Sequence, residues 1–411
     1  MNKFINMLSK SKSQFHVVKE CVEEYTAHGF TMLNMGDDWS QLAPGKYMVQ
    51  PFSSMLVAWV MGQNPSTLRI AMAHTDFPGL KLKFNPDMNK SGYLMANTEP
   101  YGGLITSTWF DRPLGLAGKL VVKGENAFAP STILYDSQKS ICIIPNLAPH
   151  LKKDKNGDID IQKELIPLVS MIEGNNETDK LLRYVAKDAG IAYEDILDYD
   201  LYLYINENPQ MLGMNDEFIS SPRIDNLSSV WAITNALIKS NITNTLAVGV
   251  FFDNEEIGSR SKQGADSTLL REIIDRIVPS KKLIYDGFNI SVDVAHGLHP
   301  NYPEKSDITN QIILGNGVAL KTSASQRYVT DSEAGAVITA LCKEKDIKLQ
   351  KQVNRSGMAG GQTLGPIASS YLPMKSVDMG IPVLAMHSAR ELMHRDDYDE
   401  LVKLIGEYYS Y

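Results

Sequence analysis

The clearest pattern along the chain is a series of short apolar runs separated by longer stretches with helical periodicity. The runs are rich in Val, Ile, Leu and Ala, which is typical of strands covered on both faces. Alternation of such strands with helices predicts an α/β domain with a largely parallel, helix-covered sheet. The runs are TLRIAMAH (67–74), TLAVGVFF (245–252), FNISVDVA (288–295) and IPVLAMHS (381–388), and the main helical stretches are residues 1–29, 225–240 and 330–347.

Residues 83–220 break this rhythm. Segments such as LAGKLVVKGE and STILYDSQKSICII, with many Gly, Pro and Asn turn signals, predict antiparallel strands and hairpins. We therefore expect a discontinuous domain formed by residues 1–82 and 221–411, with a β-rich domain of residues 83–220 inserted into it. A chain of 411 residues is long for a single core, which agrees with this division.

One segment of the insertion, DKNGDIDIQKE at Asp154–Glu164, carries oxygen side chains at alternate positions, as a calcium loop does. Its glycine stands at the fourth position instead of the sixth, and Leu165 occupies the twelfth position, where an EF-hand has glutamate. We interpret the segment as a solvated hairpin or loop.

The composition is that of an ordinary soluble globular protein, with 43% hydrophobic and 21% charged residues. The formal net charge is -8 and no basic block is present, so we expect no nucleic-acid partner. The three cysteines are far apart and form no CxxC motif, which favours a reducing compartment. The N-terminus is too polar for a signal peptide and no apolar run could span a bilayer. We expect a cytoplasmic protein with no membrane partner.

Histidines and acids follow the apolar runs where each predicted strand ends. His74 is the last residue of the first run and Asp76 comes shortly after it, and Glu255 and Glu256 follow the second run. In open α/β sheets, ligands bind at the carboxyl ends of the strands, so these side chains should reach one edge. Two more residues at such ends are Asp293 and His387, and Asp225 stands where a helix should begin.

Each of these residues has a simpler explanation when it is taken alone. A lone histidine at a strand end is more often a hydrogen-bonded structural residue than a ligand. Asp225 precedes Asn-Leu-Ser-Ser and has the position of a helix N-cap. Two adjacent glutamates, such as Glu255 and Glu256, are usually a solvated pair on the protein surface. Asp293 is harder to dismiss, because an unpaired carboxylate in an apolar run is costly.

Taken together, these side chains are suited to a pair of divalent ions. Two ions roughly 3.5 to 4 Å apart need about five protein ligands, one of them a bridging carboxylate. Zinc accepts both imidazole nitrogen and carboxylate oxygen. A further carboxylate that does not bind metal is needed to take a proton from the attacking water. Adjacent glutamates can supply one ligand and one base.

The sequence resembles the M18 metallo-aminopeptidases, in particular the aspartyl-aminopeptidase-like members. The resemblance implies a helix-covered mixed sheet of the zinc-peptidase/phosphorylase-hydrolase type, with the β-rich insertion used for dimerisation and the dimers building a tetrahedral dodecamer. The matching stretches occur in the family's order and span nearly the whole chain: AHTDFPGLKLK, TSTWFDRPLGLAGKLVVK, IIPNLAPHL, SPRIDNLSSV, DNEEIGSRSKQGA, SVDVAHGLHPNYP, LKTSASQRY and SVDMGIPVLAMHSAREL.

The resemblance also implies a role for each site residue. Asp225 would bridge two zinc ions, for which cobalt or manganese could substitute. His74 and Asp293 would complete one metal site, and Glu256 and His387 the other. Glu255 would be the general base and acid. Asp76 would orient His74, as metal-bound imidazoles usually require. His150, in NLAPHL, would reach the active site of the partner subunit and stabilise the oxyanion.

Other side chains bear on substrate choice. Lys321, with Tyr328 in the QRY stretch, is retained from the family pattern, and a cation there could hold an acidic side chain. Family members differ between acidic and neutral N-terminal residues, so a preference for Asp or Glu is an expectation. His296, His299 and His394 lie near the expected ligands, and we interpret them as structural or supporting groups.

We therefore expect a di-zinc aminopeptidase that removes single residues from the N-termini of short peptides. Two alternatives stay open. A di-metal deacylase or carboxypeptidase-type amidohydrolase uses a similar order of ligands, and would still cleave substrates with a blocked N-terminus. An assembly or cargo protein could keep the fold without the chemistry, although all the expected ligand positions are present here.

Overall fold

The computed structural model describes residues 1–151, 159–172, 178–278, 280–358 and 360–411. The α-helices of the described residues are α1 Asn2–Lys10, α2 Gln14–Ala27, α3 Ile161–Glu164, α4 Lys180–Ala189, α5 Ile224–Lys239, α6 Leu269–Ile277, α7 Lys282–Tyr285, α8 Ser332–Glu344, α9 Leu364–Tyr371 and α10 Arg395–Ser410. The strands are β1 Thr31–Leu33, β2 Gly45–Phe52, β3 Met55–Met61, β4 Thr67–His74, β5 Gly79–Lys90, β6 Tyr93–Tyr101, β7 Leu114–Asn126, β8 Ala129–Asp136, β9 Leu168–Met171, β10 Ile196–Ile205, β11 Gln210–Leu212, β12 Phe218–Ser221, β13 Thr245–Phe252, β14 Phe288–Val292, β15 Ala295–His296, β16 Val318–Thr322, β17 Leu349–Val353, β18 Lys375–Gly380, β19 Pro382–Leu384 and β20 Glu391–His394.

The largest sheet is mixed and has the strand order β1-β2-β3-β13-β4-β14-β18-β16-β17. Its centre is parallel: β4 pairs with β13 on one side and β14 on the other, and β14 pairs with β18. β3 and β16 join this centre in antiparallel orientation. All eight residues of β13 are buried, as its unbroken apolar run predicts. The predicted helix-covered mixed α/β sheet is therefore confirmed.

Helices cover both faces of this sheet because the side chains of its central strands alternate between two cores. From β13, Leu246, Val248 and Val250 enter a core shared with α6, α7 and α9. Ala247 and Phe251 point the other way, into a core shared with α1, α2, α5, α8 and α10. On that face, a Cβ at position 249 would lie 3.0 Å from Ile233 Cγ2, so glycine lets α5 approach the sheet closely.

A second sheet is antiparallel and has its own apolar core. Its order is β8-β7-β10-β5-β6-β9, and all its strands lie between Gly79 and Ile205. Leu181 and Val185 of α4 pack into that core. The sheet corresponds to the β-rich region expected from the sequence. The expected limit at residues 82 and 83 lies inside β5, and the domain boundaries stay a prediction.

A third sheet was not anticipated from the sequence. It has the order β11-β12-β20-β19-β15 and joins residues 210–221 to residues 382–394. The run IPVLAMHS is therefore no single strand of the main sheet: β18 ends at Gly380 and β19 belongs to the third sheet. The two strands are short and separated only by Ile381, so the local pattern cannot tell which sheet each one joins.

Two smaller expectations concern the N-terminus and the calcium-like segment. The helical stretch of residues 1–29 is divided into α1 and α2 at residues 11–13. Of the segment Asp154–Glu164, residues 154–158 lie outside the described residues, and residues 161–164 form α3 instead of the expected hairpin or loop. Among the helices that the structure describes, none combines the length and apolar character needed to cross a membrane.

Candidate metal centre

The parallel strands of the main sheet bring predicted site residues to one edge. β4 ends at His74, which lies opposite Phe252 at the end of the neighbouring β13. A short 3₁₀ turn, Glu255–Ile257, follows β13, and Asp293 directly follows β14. Asp225 lies in the first turn of α5 and His387 lies between β19 and β20. The third sheet thus places the last residue against the edge formed by the main sheet.

Asp225 lies between two groups of side chains. Its Oδ1 is 3.5 Å from His74 Nε2, and its Oδ2 is 3.4 Å from His387 Nε2. The same His74 nitrogen is 3.6 Å from Asp293 Oδ1 and 3.9 Å from Glu255 Oε2. His387 Nε2 is 3.5 Å from Glu256 Oε2. The structure therefore brings together all five expected ligands and the expected base.

The cluster fits divalent cations. Asp225 Oδ1 and Glu256 Oε1 are buried and have no hydrogen-bond partner among the described residues. One ligand atom each from His74, Asp225 and Glu256 lies within 4.8 Å of the others, which suits a metal ion. Four carboxylates meet two imidazoles here, and buried carboxylates left without a cation are costly. Imidazole nitrogen and carboxylate oxygen are ligands that zinc accepts.

The acid–base properties of the cluster reflect the same excess of negative charge. Burial raises the pKa of Glu255 to about 8, with nearby acids adding to the effect. Burial opposes protonation of His387, but Asp225 and Glu256 outweigh it and raise its pKa to about 10. Burial alone would raise the pKa of Asp225, yet the imidazoles of His387 and His74 hold it below its usual range. Neighbouring charges that attract protons in this way also attract metal cations.

Asp76 contacts the glutamate turn as well as His74, the only contact that was expected. His74 Nδ1 lies 3.0 Å from the backbone oxygen of Asp76 and 3.4 Å from its Oδ1. The backbone N–H of Glu255 donates to Asp76 Oδ1, and that of Glu256 donates to Oδ2, each at 3.1 Å. One buried carboxylate thus holds both the histidine and the glutamate turn.

Two side chains that support Asp76 were missed from the sequence. The hydroxyl of Tyr101, at the end of β6, donates to Asp76 Oδ2 at 2.8 Å. Asn254 Nδ2 donates to the same hydroxyl at 2.8 Å, and Asn254 Oδ1 accepts from Ser261. Asn254 is adjacent to the Glu-Glu pair in DNEEIGS, but Tyr101 is distant in sequence and nothing local signals its role.

The expected substrate-binding residues lie in different surroundings. Lys321 is buried, and its Nζ donates to the backbone oxygens of Asp293 and Val294 at 3.1 Å. The same ammonium lies 3.8 Å from Asp293 Oδ2 and 5.1 Å from the centre of the Tyr328 ring. His150 is exposed and lies in the segment that follows β8 of the antiparallel sheet. Among the described residues of this chain it makes no hydrogen bond.

The remaining histidines lie outside the cluster. His394 Nδ1 accepts from the backbone N–H of Asp396 and caps α10, and His299 Nδ1 accepts from that of Asn301. His296 and His299 line a cavity of about 420 Å³, which also contains Arg355 and the residues immediately before His387.

Known proteins with similar sequences point to one family. The chain matches the family described as Aminopeptidase I zinc metalloprotease (M18) over residues 7–409. It is 40% identical to the probable M18 family aminopeptidase 2 of Clostridium novyi (strain NT), covering 100% of this chain and 98% of that protein. A protein of the same description from Clostridium acetobutylicum is 38% identical, with 99% and 98% covered.

Solved structures agree with the sequence relatives. A chain in a cryo-EM structure of the Ape4 and Nbr1 complex is 32% identical and superimposes with a TM-score of 0.94, covering 99% of this chain and 85% of that one. The S. cerevisiae mApe1 dodecamer has a chain that is 25% identical, with a TM-score of 0.87 and 100% and 96% covered. On these grounds, the chain, which carries a cluster of potential metal ligands at the edge of its main sheet, belongs to the M18 family of metallo-aminopeptidases.

Proposed function

We propose that this protein is a di-zinc aminopeptidase that uses Glu255 to hydrolyse the N-terminal peptide bond of short peptides. The observation that carries the proposal is the position of Asp225 between two half-sites. One oxygen faces His74, which is next to Asp293, and the other faces His387, which is next to Glu256. A carboxylate in that position can bridge two ions, each completed by one histidine and one further acid.

When bound, the two zinc ions would supply Lewis acidity to the attacking water and the scissile carbonyl. Cobalt or manganese would substitute, because the same imidazole and carboxylate ligands bind those ions. The residues of the chain do the rest. The ions would be held by Asp225, His74, Asp293, Glu256 and His387, and Asp76 would fix the orientation of His74 and the glutamate turn.

Glu255 has the position of a proton carrier. Its Oε2 is 3.9 Å from His74 Nε2, so it borders the half-site formed with Asp293 without lying between the two histidines. It would take a proton from the attacking water and deliver it to the leaving amine. A positioned carboxylate that does this contributes roughly 10²- to 10⁴-fold to the rate.

Two features support binding of a peptide N-terminus with an acidic side chain. The carboxylates of the cluster would attract the substrate's free ammonium group. The ammonium of Lys321 has three N–H donors, of which two are used by the backbone oxygens of Asp293 and Val294. The third could bind a substrate carboxylate beside Tyr328. The cavity next to His387 is lined by two cationic side chains, Lys305 and Arg355, and by one acid, Asp307, which favours an acidic occupant over a basic one.

The site would be completed by a second subunit. His150 is exposed on the region of the antiparallel sheet, from which it could reach a partner's active site and stabilise the oxyanion. The similar mApe1 protein is a dodecamer, and we propose that dimers of this chain build the same assembly. The three cysteines are free and buried, which suits a reducing cytoplasm.

A matched pair of variants tests the roles of the adjacent glutamates. Glu255→Gln should lower kcat roughly 10²- to 10⁴-fold with two zinc ions per subunit retained. Glu256→Gln should instead lose zinc, because it removes a proposed ligand. Metal analysis and turnover of aminoacyl reporter substrates measure both effects. Full peptidase activity in Glu255→Gln would refute the proposed mechanism.

A separate set of reporter substrates tests whether a free N-terminus is required and which N-terminal side chain is preferred. Reporters with acidic, aliphatic and basic N-terminal residues should show hydrolysis that disappears when the N-terminus is acetylated. Persistent cleavage of the acetylated compounds would indicate a deacylase, and no turnover of any reporter would indicate a non-catalytic protein. Lys321→Met should lower the ratio of acidic to aliphatic turnover if the lysine selects the side chain.

A further inference from the structure

A buried carboxylate outside the proposed ligand set connects two of its members. Glu391 is the first residue of β20 and is 2% exposed. Its Oε1 accepts a hydrogen bond from the backbone N–H of His387 at 2.8 Å. Its Oε2 accepts from the backbone N–H of Asp225 at 2.9 Å. The two oxygens of one side chain therefore tie the backbone of His387, four positions before Glu391, to that of Asp225, 166 positions before it.

This arrangement uses both oxygens of the carboxylate. Two backbone N–H groups require two acceptors at the same place, which an ionised glutamate supplies and a glutamine does not. Glu391 forms no salt bridge with any side chain in the described part of the molecule, and the cationic groups whose charge influences it are His387 and Arg223. A buried carboxylate without a direct cationic partner is costly to maintain.

The tethered residues need to be held accurately. His387 has a φ of 66°, a left-handed backbone that is strained for a residue with a Cβ. Glu391 holds the backbone of this residue, while Gly103 O lies 3.0 Å from Nδ1 of its ring. His387 Nε2 and Asp225 Oδ2 are thereby kept 3.4 Å apart. By contrast, His74 and Asp293 lie at strand ends of the main sheet and do not contact Glu391 in the described structure.

We propose that Glu391 is a positioning residue for one of the two ions, the one held by Asp225, Glu256 and His387. This role rests on the proposed di-metal centre, and it makes the binding of only one of the two ions depend on Glu391. Removing the clamp frees the backbone of His387, a ligand of this ion alone, and loosens the backbone of the shared Asp225. Affinity for this ion should therefore fall about 10- to 100-fold, as is usual when a group supporting a ligand is changed. The ion held by His74 and Asp293 should be retained.

The chain offers a closely matched control in Asp397. This carboxylate is also fully buried, and it accepts backbone N–H groups from Gly315 and Gly317, both at 2.7 Å. It holds a turn outside the cluster. Asp397→Asn therefore reproduces the chemical change of Glu391→Gln, including one unsatisfied backbone N–H, without touching a proposed ligand.

The experiment measures bound zinc per subunit in chelator-buffered zinc for the intact oligomer, with thermal unfolding of each variant alongside. At a free zinc concentration where the wild type holds two ions, Glu391→Gln should hold one and Asp397→Asn two. Glu391→Asp, which keeps the charge but reaches only one N–H, should lie between wild type and Glu391→Gln and serves if the amide variant does not fold.

Two results would overturn the inference. Both ions could remain bound with wild-type affinity in the Glu391 variants, or Glu391→Gln and Asp397→Asn could lose zinc equally, which would indicate general destabilisation. A wild-type protein that binds no more than one ion would refute the di-metal centre itself, and this inference with it. If the wild type binds two ions and the Glu391 variants bind both with wild-type affinity, only the role of Glu391 is refuted.

Discussion

Replacing Asp76 with asparagine should weaken catalysis through the residues that it holds. Asp76 is 1% exposed and receives three hydrogen bonds: from the N–H groups of Glu255 and Glu256 and from the Tyr101 hydroxyl. Asp76→Asn keeps the shape but exchanges one acceptor oxygen for an NH₂ group. Whichever oxygen is lost, at least one backbone N–H of the glutamate turn then faces a donor.

The size of the effect follows from that count. A buried donor left without an acceptor costs about 1–3 kcal/mol, and each 1.4 kcal/mol corresponds to a tenfold change. The negative charge of Asp76, 3.4 Å from His74 Nδ1, favours the His74 tautomer that is suited to metal binding. The variant loses this charge. We expect kcat/KM to fall about 10- to 100-fold, accompanied by weaker zinc binding.

Tyr101→Phe is the graded control for this variant. It removes one of the three donors to Asp76 and leaves both N–H groups of the glutamate turn satisfied, so kcat/KM should fall less than tenfold, about 1 kcal/mol. Both variants are compared with aminoacyl reporters at saturating zinc and by metal analysis. The reasoning fails if Asp76→Asn stays within twofold of wild type, or if Tyr101→Phe is the more damaging change.

Three further outcomes are expected. Dialysis against a chelator should abolish turnover, and added zinc, cobalt or manganese should restore it; activity that survives complete metal removal would contradict a metal centre. Burial lowers the pKa of His16 to about 4 from 6.5, so its contribution to stability is complete above pH 6.5 and is lost as the pH falls toward 4. That loss is worth up to about 3 kcal/mol, and denaturant unfolding of His16→Gln should show a flatter pH dependence than wild type over this window. Phe251→Ala should lower the free energy of unfolding by about 3–5 kcal/mol because the ring is completely buried, which denaturant melts would check against Phe128→Ala, a fully exposed position where little change is expected.

Much of the fold was predictable because it depends on local pattern. The buried runs that became β4, β13 and β14 were visible as short apolar segments, and their ends indicated which side chains could meet. The prediction that residues 381–388 form one strand of the main sheet was wrong. Ile381 alone separates β18 from β19. The assignment of these two short strands to different sheets depends on which neighbours are available for pairing, and hydrophobic periodicity carries no such information.

The sequence by itself determined the α/β architecture, the family and the set of candidate metal ligands, because apolar periodicity and motif order are properties of the chain. Only the tertiary structure decided how those side chains are held. The third sheet brings His387 to Asp225, Asp76 accepts from both glutamate N–H groups, and Tyr101 and Glu391 support these contacts from distant strands. Such hydrogen bonds join residues more than 20 and as many as 180 positions apart. Their existence depends on strand register and packing, which no local stretch of sequence specifies.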